Sequence, residues 1–176
     1  FANEYFDVKP DLFTTAKGIT NATVPMGAVF VRDGIYDAFM KAAPENAIEF
    51  FHGYTYSGHP LACAAGIATL DVYRNDDLFA RAAELAPYFE SALHSLSDAN
   101  NVIDVRNLGM MGAIELESIP GKPTFRAMDA FQKAFDAGLL IRTTGDTIAL
   151  SPPLIIEKKQ VEFIADTVRA VLKTVH

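Results

Sequence analysis

Three groups of side chains could take part in chemistry, and the first is a single lysine. Lys17 lies in the stretch LFTTAKGITN, with Thr14, Thr15 and Ala16 before it and Gly18 after it. A lysine amine attacks a carbonyl carbon only when it is neutral, and desolvation or nearby positive charge lowers its pKa enough to allow this. The small neighbours would let a flat cofactor approach. A surface lysine that merely ends a strand is the alternative, and these residues alone leave both open.

The second group is a loop rich in hydroxyl groups, HGYTYSGHP, at residues 52–60. It precedes a predicted helix, where free N–H groups and the helix dipole favour an anion. The loop lacks the spacing of a P-loop, so a nucleoside triphosphate is not indicated. A plain connection whose glycines serve turns is equally consistent with the sequence. The histidines of the loop have no further ligand cluster beside them, so we predict no metal site.

The third group is Arg142, which we predict at the end of an apolar strand, LLIR, beside a hairpin turn. A planar guanidinium there can hold a carboxylate through two parallel hydrogen bonds. The same position suits an arginine that reaches from a strand end into water, and this alternative also stays open.

Strands and helices must position these side chains. In the first part of the chain the sequence predicts a short strand at 28–31 followed by a helix, then a loop over 41–59. Pro60 suits the first turn of a helix that runs to about Asn75. The next helix should be kinked or split by Pro87. One face of that helix is apolar and carries Leu78, Ala82, Leu85, Phe89, Leu93 and Leu96.

The last third of the chain reads as further strands and helices. Two strands should meet at Leu108 and Gly109, and a helix should follow with Thr124 as its N-cap and Gly138 as its C-terminal cap. A hairpin turn is predicted at residues 145–146, and a final helix at about 157–175. The second part, from about residue 76, therefore has enough helix and strand for a compact α/β unit, whereas the first has too little sheet to stand alone.

Composition limits the classes of function. The chain has 176 residues with 15 basic and 22 acidic side chains, a formal net charge of −7, and no basic stripe. We therefore expect no nucleic-acid binding. No apolar run approaches the roughly 20 residues of a membrane-spanning helix. Cys63 is the single cysteine and indicates a reducing compartment, so we expect a cytoplasmic protein that does not enter a membrane.

The first residues, FANEYFDVKP, contain no initiator methionine, no positively charged start and no apolar signal core. We therefore expect the chain to be part of a longer polypeptide.

Three motifs follow one another along the chain: PDLFTTAKGITNATVPMGAVFV, FFHGYTYSGHPLACAAGIATLDV and GLLIRTTGDTIALSPPLI. Together they resemble the class III aminotransferases, pyridoxal 5'-phosphate (PLP) enzymes of fold type I, and most closely the ω-amino acid:pyruvate branch, which includes β-alanine:pyruvate aminotransferases. The resemblance implies an α/β fold in which 1–75 is the C-terminal part of the large PLP-binding domain and 76–176 is the small C-terminal domain. The reaction would move an amino group from an ω-amino acid or amine, such as β-alanine, to pyruvate.

The resemblance also implies roles for single residues. Lys17 would hold PLP as a Schiff base, while Thr55, with the backbone of Tyr54, would bind the cofactor phosphate of the neighbouring subunit in a homodimer or a higher homo-oligomer. Arg142 would correspond to the mobile arginine that pairs with the substrate α-carboxylate and swings aside for substrates without one. Nothing in the chain resembles the N-terminal half of the family, which supplies the rest of the site, so we expect the chain alone to be inactive.

Two alternatives to this function stay open. Another class III PLP enzyme, an aminomutase or an amino acid decarboxylase, would share the cofactor motifs. The other is a non-catalytic assembly module in which the aromatic residues of the loop form a dimer surface. These residues are Phe50, Phe51, Tyr54 and Tyr56.

Overall fold

The chain divides into two compact units, Phe1–Asp76 and Asp77–His176, in a computed structural model that describes residues 2–46 and 48–175. The division falls after Asp76, next to the boundary expected from the sequence. No helix of the described ranges has both the length and the apolar character needed to cross a membrane.

Over residues 2–46 and 48–76, the first unit contains one small antiparallel sheet and three α-helices. Its strands β1 and β2 pair from Leu12 opposite Val31 to Ala16 opposite Gly27. The predicted strand, the helix after it and the helix that begins at Pro60 are confirmed, and the predicted loop begins at residue 43 because α2 extends to Ala42, with residue 47 outside the described residues. In chain order the elements are α1 (Ala2–Tyr5), β1 (Leu12–Ala16), a short 3-10 helix (Lys17–Ile19), β2 (Gly27–Val31), α2 (Asp33–Ala42) and α3 (Pro60–Asn75).

Few side chains of the first unit are buried. Thr20 is 1% exposed and Ala62 is 6% exposed, whereas large apolar side chains such as Phe30 and Phe51 are mostly exposed. Thr20 is also the only polar side chain that is buried anywhere in the described ranges. The described part of this unit therefore lacks an apolar core of its own.

The second unit is a four-stranded antiparallel sheet with three helices. The strand order is β3-β4-β6-β5, so β3 and β5 form the edges. Alternate residues of β4 and β6, among them Ile114 and Ile148, pack with the helices in one apolar core. The elements are α4 (Leu78–His94), β3 (Val102–Leu108), β4 (Met111–Leu116), α5 (Phe125–Asp136), β5 (Arg142–Thr144), β6 (Thr147–Leu150) and α6 (Lys158–Leu172).

Helix α4 runs without interruption through Pro87, so the predicted split is wrong. Proline removes the hydrogen bond to the carbonyl four residues earlier, here that of Ala83. Ala83 and Pro87 are both exposed, so water can satisfy this carbonyl at little cost. The predicted apolar face is buried at Leu78, Leu85, Phe89 and Leu93 and half-buried at Ala82, and Leu96 is buried just after the helix ends.

The two ends of α5 differ in how well they were predicted. Gly138 has φ 86° and ends the helix, because its N–H donates to the carbonyl of Phe135 and that of Leu139 donates to the carbonyl of Ala134. Thr124 occupies the N-cap position but makes no side-chain cap, which corrects the prediction. Its φ of 68° is left-handed, whereas a capping side chain requires extended backbone at this position.

Candidate active site

Lys17 lies where β1 ends and the chain turns. It follows Ala16, the last residue of β1, and begins the 3-10 helix Lys17–Ile19. Its φ of 56° is left-handed. Such a conformation costs a residue with a Cβ about 1 to 3 kcal/mol, and it persists only where the surrounding structure fixes it. Strain of this kind is frequent at functional sites.

Backbone hydrogen bonds close the turn on the carbonyl of Lys17. The N–H groups of Thr20 and Ala22 donate to this oxygen at 3.3 and 3.4 Å, which are long distances for such bonds. The hydroxyl of Thr20 donates to the carbonyl of Val24 at 2.6 Å. Burial of Thr20 therefore costs little, because its hydroxyl has a hydrogen-bond partner.

Helix α3 packs closely against this turn. The hydroxyl of Tyr73 donates to the carbonyl of Gly18 at 2.6 Å. A Cβ on Gly66 would lie 3.4 Å from the sulfur of Met26 and 3.7 Å from the carbonyl oxygen of Ile19. The glycine thus permits a close approach of α3 to the segment that carries Lys17.

The side chain of Lys17 is exposed, and within residues 2–46 and 48–175 its Nζ has neither an ion pair nor a hydrogen bond. Another cation of the same unit is paired, because Arg32 bonds Asp11 at 2.6 Å. The backbone of Lys17 is therefore held in place, while its amine stays available.

The loop before α3 carries Tyr54 and Thr55, both exposed. A turn over residues 55–58 is closed by hydrogen bonds from Ser57 N–H to the carbonyl of Tyr54 at 3.0 Å and from His59 N–H to that of Tyr56 at 3.2 Å. His59 is the N-cap of α3 and makes no side-chain cap, so the first N–H groups of the helix are not capped by it.

A cavity of about 480 Å³ lies between the start of β2 and this loop. Its lining includes the hydroxyl-bearing side chains of Tyr54, Tyr56 and Ser57, together with Met26 and Cys63. Its size is that of a small-molecule site. Neither Lys17 nor Thr55 lines it. No group of His, Cys, Asp and Glu in the described part of the chain is suited to a metal ion.

Arg142 begins strand β5 rather than ending a strand, which corrects the prediction for LLIR. Leu139 and Ile141 lie in the core before the strand starts. The ladder between β5 and β6 begins at Arg142, which lies opposite Ala149.

The guanidinium of Arg142 lies on the face of the sheet away from α5. The neighbouring Thr143 donates its hydroxyl hydrogen bond to the sulfur of Met128 on α5, and successive side chains of a strand point to opposite faces. Arg142 is exposed and, among the described residues, forms no ion pair. It is therefore a cation that remains free to bind a carboxylate.

Arg106 offers a contrast on the same face of the sheet. Its guanidinium bonds Asp104 at 2.5 Å and Glu115 at 2.7 Å. The hydrogen bonds to Asp104 and then Glu115 raise the pKa of Arg106 above its ordinary value. This arginine is engaged with the protein itself.

The predicted site residues are divided between the two units. Lys17, Tyr54 and Thr55 lie in the first, and Arg142 lies in the second. The sequence analysis missed Tyr73, because its contact with Gly18 joins residues 55 positions apart and no local pattern announces it.

The sequence matches the aminotransferase class-III family over residues 1–172. The chain belongs to this family. It is 62% identical over 172 residues to an omega-aminotransferase of Caulobacter vibrioides, and this alignment covers 98% of this chain and 39% of that protein. It is 49% identical over 166 residues to a beta-alanine–pyruvate aminotransferase of Pseudomonas aeruginosa, which covers 94% of this chain and 37% of that protein.

The fold of this class III chain matches solved transaminases. An amine transaminase from an uncultivated Pseudomonas species, in its PLP-bound form, aligns with a TM-score of 0.89 and 31% identity, covering 100% of this chain and 41% of that one. The predicted family and fold class, the α/β C-terminal part of a fold type I transferase, are confirmed. The chain spans about two fifths of the length of these relatives. The roles of Lys17, Tyr54, Thr55 and Arg142 stay predictions.

Proposed function

We propose that this chain is part of a PLP-dependent aminotransferase that moves an amino group from an ω-amino acid or amine, such as β-alanine, to pyruvate. The family supports transamination, and the names of the relatives support this class of substrate. The observation that carries the proposal is Lys17, whose backbone is held in a left-handed turn while its amine is exposed and unpaired among the described residues. In this proposal the first unit is the end of the large PLP-binding domain and the second is the small domain.

The first unit has the two kinds of partner that PLP requires. Nζ of Lys17 is a primary amine that would bind the aldehyde carbon as a Schiff base. The hydroxyl of Thr55 and the backbone of Tyr54 would bind the phosphate of PLP held by a neighbouring subunit. When bound, PLP supplies the electron sink for breaking the C–H bond of the substrate.

Lys17 has a second role in this proposal. When its amine is free, Nζ of Lys17 would take the proton from the substrate carbon as a base and would then deliver it to the cofactor as an acid. This requires a lysine whose side chain starts from a fixed point. The turn described above is in keeping with that requirement.

Arg142 would bind the α-carboxylate of pyruvate or alanine through a bidentate pair. Its exposure and its lack of an ion-pair partner in the described ranges support this role. An arginine already engaged by carboxylates, as Arg106 is, would first have to give up those bonds.

We further propose a homodimer in the cytoplasm. The loop before α3 exposes large aromatic rings, with Phe51 92% and Tyr56 80% exposed, which is the composition of the centre of a protein interface. Cys63 is the only cysteine of the chain, which fits a reducing compartment.

Borohydride reduction of the full-length, PLP-loaded enzyme, followed by peptide mapping, tests the role of Lys17. We expect the cofactor to be fixed on Lys17 and the Lys17→Ala variant to carry no label. Lys9→Ala is the matched control, since Lys9 is exposed just before β1, and it should keep the label on Lys17. A label on any other lysine of the wild-type enzyme would contradict the proposal.

A half-reaction separates transamination from the other class III activities. Pyruvate should return the amine form of the cofactor to the aldehyde form, which absorbance records directly. Absence of this conversion would contradict the proposal and favour an aminomutase or a decarboxylase.

A further inference from the structure

The hydrogen bond between Tyr73 and Gly18 anchors the peptide that follows Lys17. At 2.6 Å between the phenol oxygen and the carbonyl oxygen it is a short bond of its kind. Tyr73 lies near the end of α3, a helix of 16 residues, so the donor stands on a rigid element. The bond therefore ties the turn to a support that a local hydrogen bond within the turn cannot provide.

The backbone of Lys17 needs such a support. Its left-handed φ of 56° would relax toward the extended region if the next peptide could rotate. The bonds on its own carbonyl, from Thr20 and Ala22, are the long ones at 3.3 and 3.4 Å. The hydrogen bond from Tyr73, at 2.6 Å, is thus much shorter than either bond on the carbonyl of Lys17.

We infer that Tyr73 is a positioning residue for Lys17, whose hydroxyl fixes the point from which the lysine side chain extends. This inference rests on the proposed role of Lys17 as the cofactor-bearing and proton-transferring lysine. A displacement of about 1 Å at a reacting group costs on the order of a hundredfold in rate, so an anchor on the backbone of that group has a direct effect on the chemical step. Tyr73 itself touches neither substrate nor cofactor in this inference.

The Tyr73→Phe variant of the full-length holoenzyme tests the inference, because it removes only the hydroxyl. We expect kcat to fall about tenfold, as the loss of one good hydrogen bond predicts, while KM for pyruvate stays unchanged. Amide hydrogen exchange should become faster at Thr20 and Ala22, whose N–H groups bond the carbonyl of Lys17.

Tyr88→Phe is the matched control. It removes a hydroxyl that donates to Glu162 at 2.5 Å in the second unit, so it loses a bond of the same kind away from Lys17. We expect its kcat and the exchange at Thr20 and Ala22 to equal those of the wild type. A similar loss of kcat in Tyr88→Phe would mean that general destabilisation explains both variants, and would overturn the inference.

A second variant covers the case in which Tyr73→Phe does not fold. A Cβ on Gly18 would lie 3.4 Å from the Tyr73 hydroxyl oxygen, so Gly18→Ala disturbs the same contact from the other side. We expect the same changes in kcat and exchange at a smaller size, and wild-type values in this variant would overturn the inference.

Borohydride labelling distinguishes failure of this inference from failure of the proposed function. If Lys17 carries the label and Tyr73→Phe keeps the wild-type kcat, Tyr73 does not position it. If the label falls on another lysine, the proposed role of Lys17 is wrong. Tyr73 then has no catalytic relevance, even if amide exchange at Thr20 becomes faster in Tyr73→Phe.

Discussion

Arg142 on β5 lies directly opposite Ala149 on β6, and Ala149 lies opposite Ala113 on β4. Side chains directly opposite each other on antiparallel strands have Cβ atoms about 5 Å apart. The guanidinium therefore rises beside two methyl groups, on the face of the sheet away from α5. Because Ala149 and Ala113 are small, they leave space for the arginine to change rotamer and for a carboxylate to approach it.

Replacing Arg142 should affect the pyruvate half-reaction. We expect Arg142→Ala to lose about 2 to 4 kcal/mol of transition-state stabilisation there, because the substrate carboxylate is left unpaired. Arg142→Lys should restore only part, since an ammonium group cannot reproduce the planar fork. Single-turnover mixing of the full-length enzyme with pyruvate measures both.

Amine donors without an α-carboxylate are the control for Arg142. They should react with Arg142→Ala at nearly the wild-type rate, because they never use the arginine. Equal losses for donors and pyruvate would mean that Arg142 supports the β5–β6 hairpin and binds no carboxylate.

Enlarging Ala149 should restrict Arg142. In Ala149→Val the branched side chain limits the rotamers of the arginine opposite it, so we expect the single-turnover rate with pyruvate to fall several-fold. Valine suits a strand better than alanine does, so the melting temperature should not fall. Thr147→Val, on the same strand and the same face but opposite Glu115 and Thr144, should leave the pyruvate rate unchanged. A wild-type rate in Ala149→Val would show that the small side chain of Ala149 is not needed for Arg142 to change rotamer.

Adding a methyl group at Gly112 should destabilise the second unit. The new Cβ would lie 2.5 Å from Cδ2 of Leu93 and 3.2 Å from Cε1 of Phe89, which are core residues. Overpacking of this kind costs about 1 to 3 kcal/mol, and the leucine can absorb part of it by moving. Thermal unfolding of the full-length enzyme measures the loss. In Gly34→Ala, where nothing lies within 4 Å of the new Cβ, the melting temperature should stay equal or rise slightly.

Lowering the pH should remove a contribution from the start of α6. A hydrogen bond from Lys159 and its positive charge lower the pKa of the Glu157 carboxyl below its ordinary value of 4.5. The folded state therefore prefers the ionised carboxylate, and this contribution is present above pH 4.5 and is lost as the pH falls through the lowered pKa. Glu157→Gln should have a lower melting temperature than the wild type at neutral pH, and the difference should shrink in acid.

Glu90 provides the comparison for this pH dependence, since it is exposed on α4 and lies outside the Glu157–Lys159 pair. At neutral pH we expect Glu90→Gln to have a melting temperature close to that of the wild type. A Glu157→Gln gap that stays constant from neutral pH to acid would show that the charge of Glu157 contributes nothing.

Local chemistry explains which parts of the fold could be predicted. Gly138 ends α5 with a positive φ, which glycine adopts at little cost. A helix end of this kind can be predicted from a few neighbouring residues. The start of β5 could not be read in this way, because it depends on which residues pair with another strand, β6. Thr124 failed as a cap because its own backbone is left-handed, which its residue type does not predict.

The candidate site likewise has features that the sequence predicts and features that it does not. The residues around Lys17 leave its role open, and the resemblance of the three motifs to class III aminotransferases is what singles it out. Its left-handed φ could not be predicted, since lysine is not a residue that favours this conformation. The bond from Tyr73 to Gly18 depends on a separation of 55 residues and is a product of tertiary packing alone.

The uneven distribution of buried side chains has a consequence for the order of folding. In the second unit, β3 pairs with β4 and β5 with β6 through short turns, and fully buried residues such as Leu96 and Leu172 hold the result together. Contacts between neighbours in sequence form early, so this unit should be the folding nucleus. The first unit has few buried residues, and its turn at Lys17 waits for a contact with Tyr73. We expect the lysine to reach its working conformation late, so that a nascent or partly folded chain has no positioned amine and only the mature enzyme does.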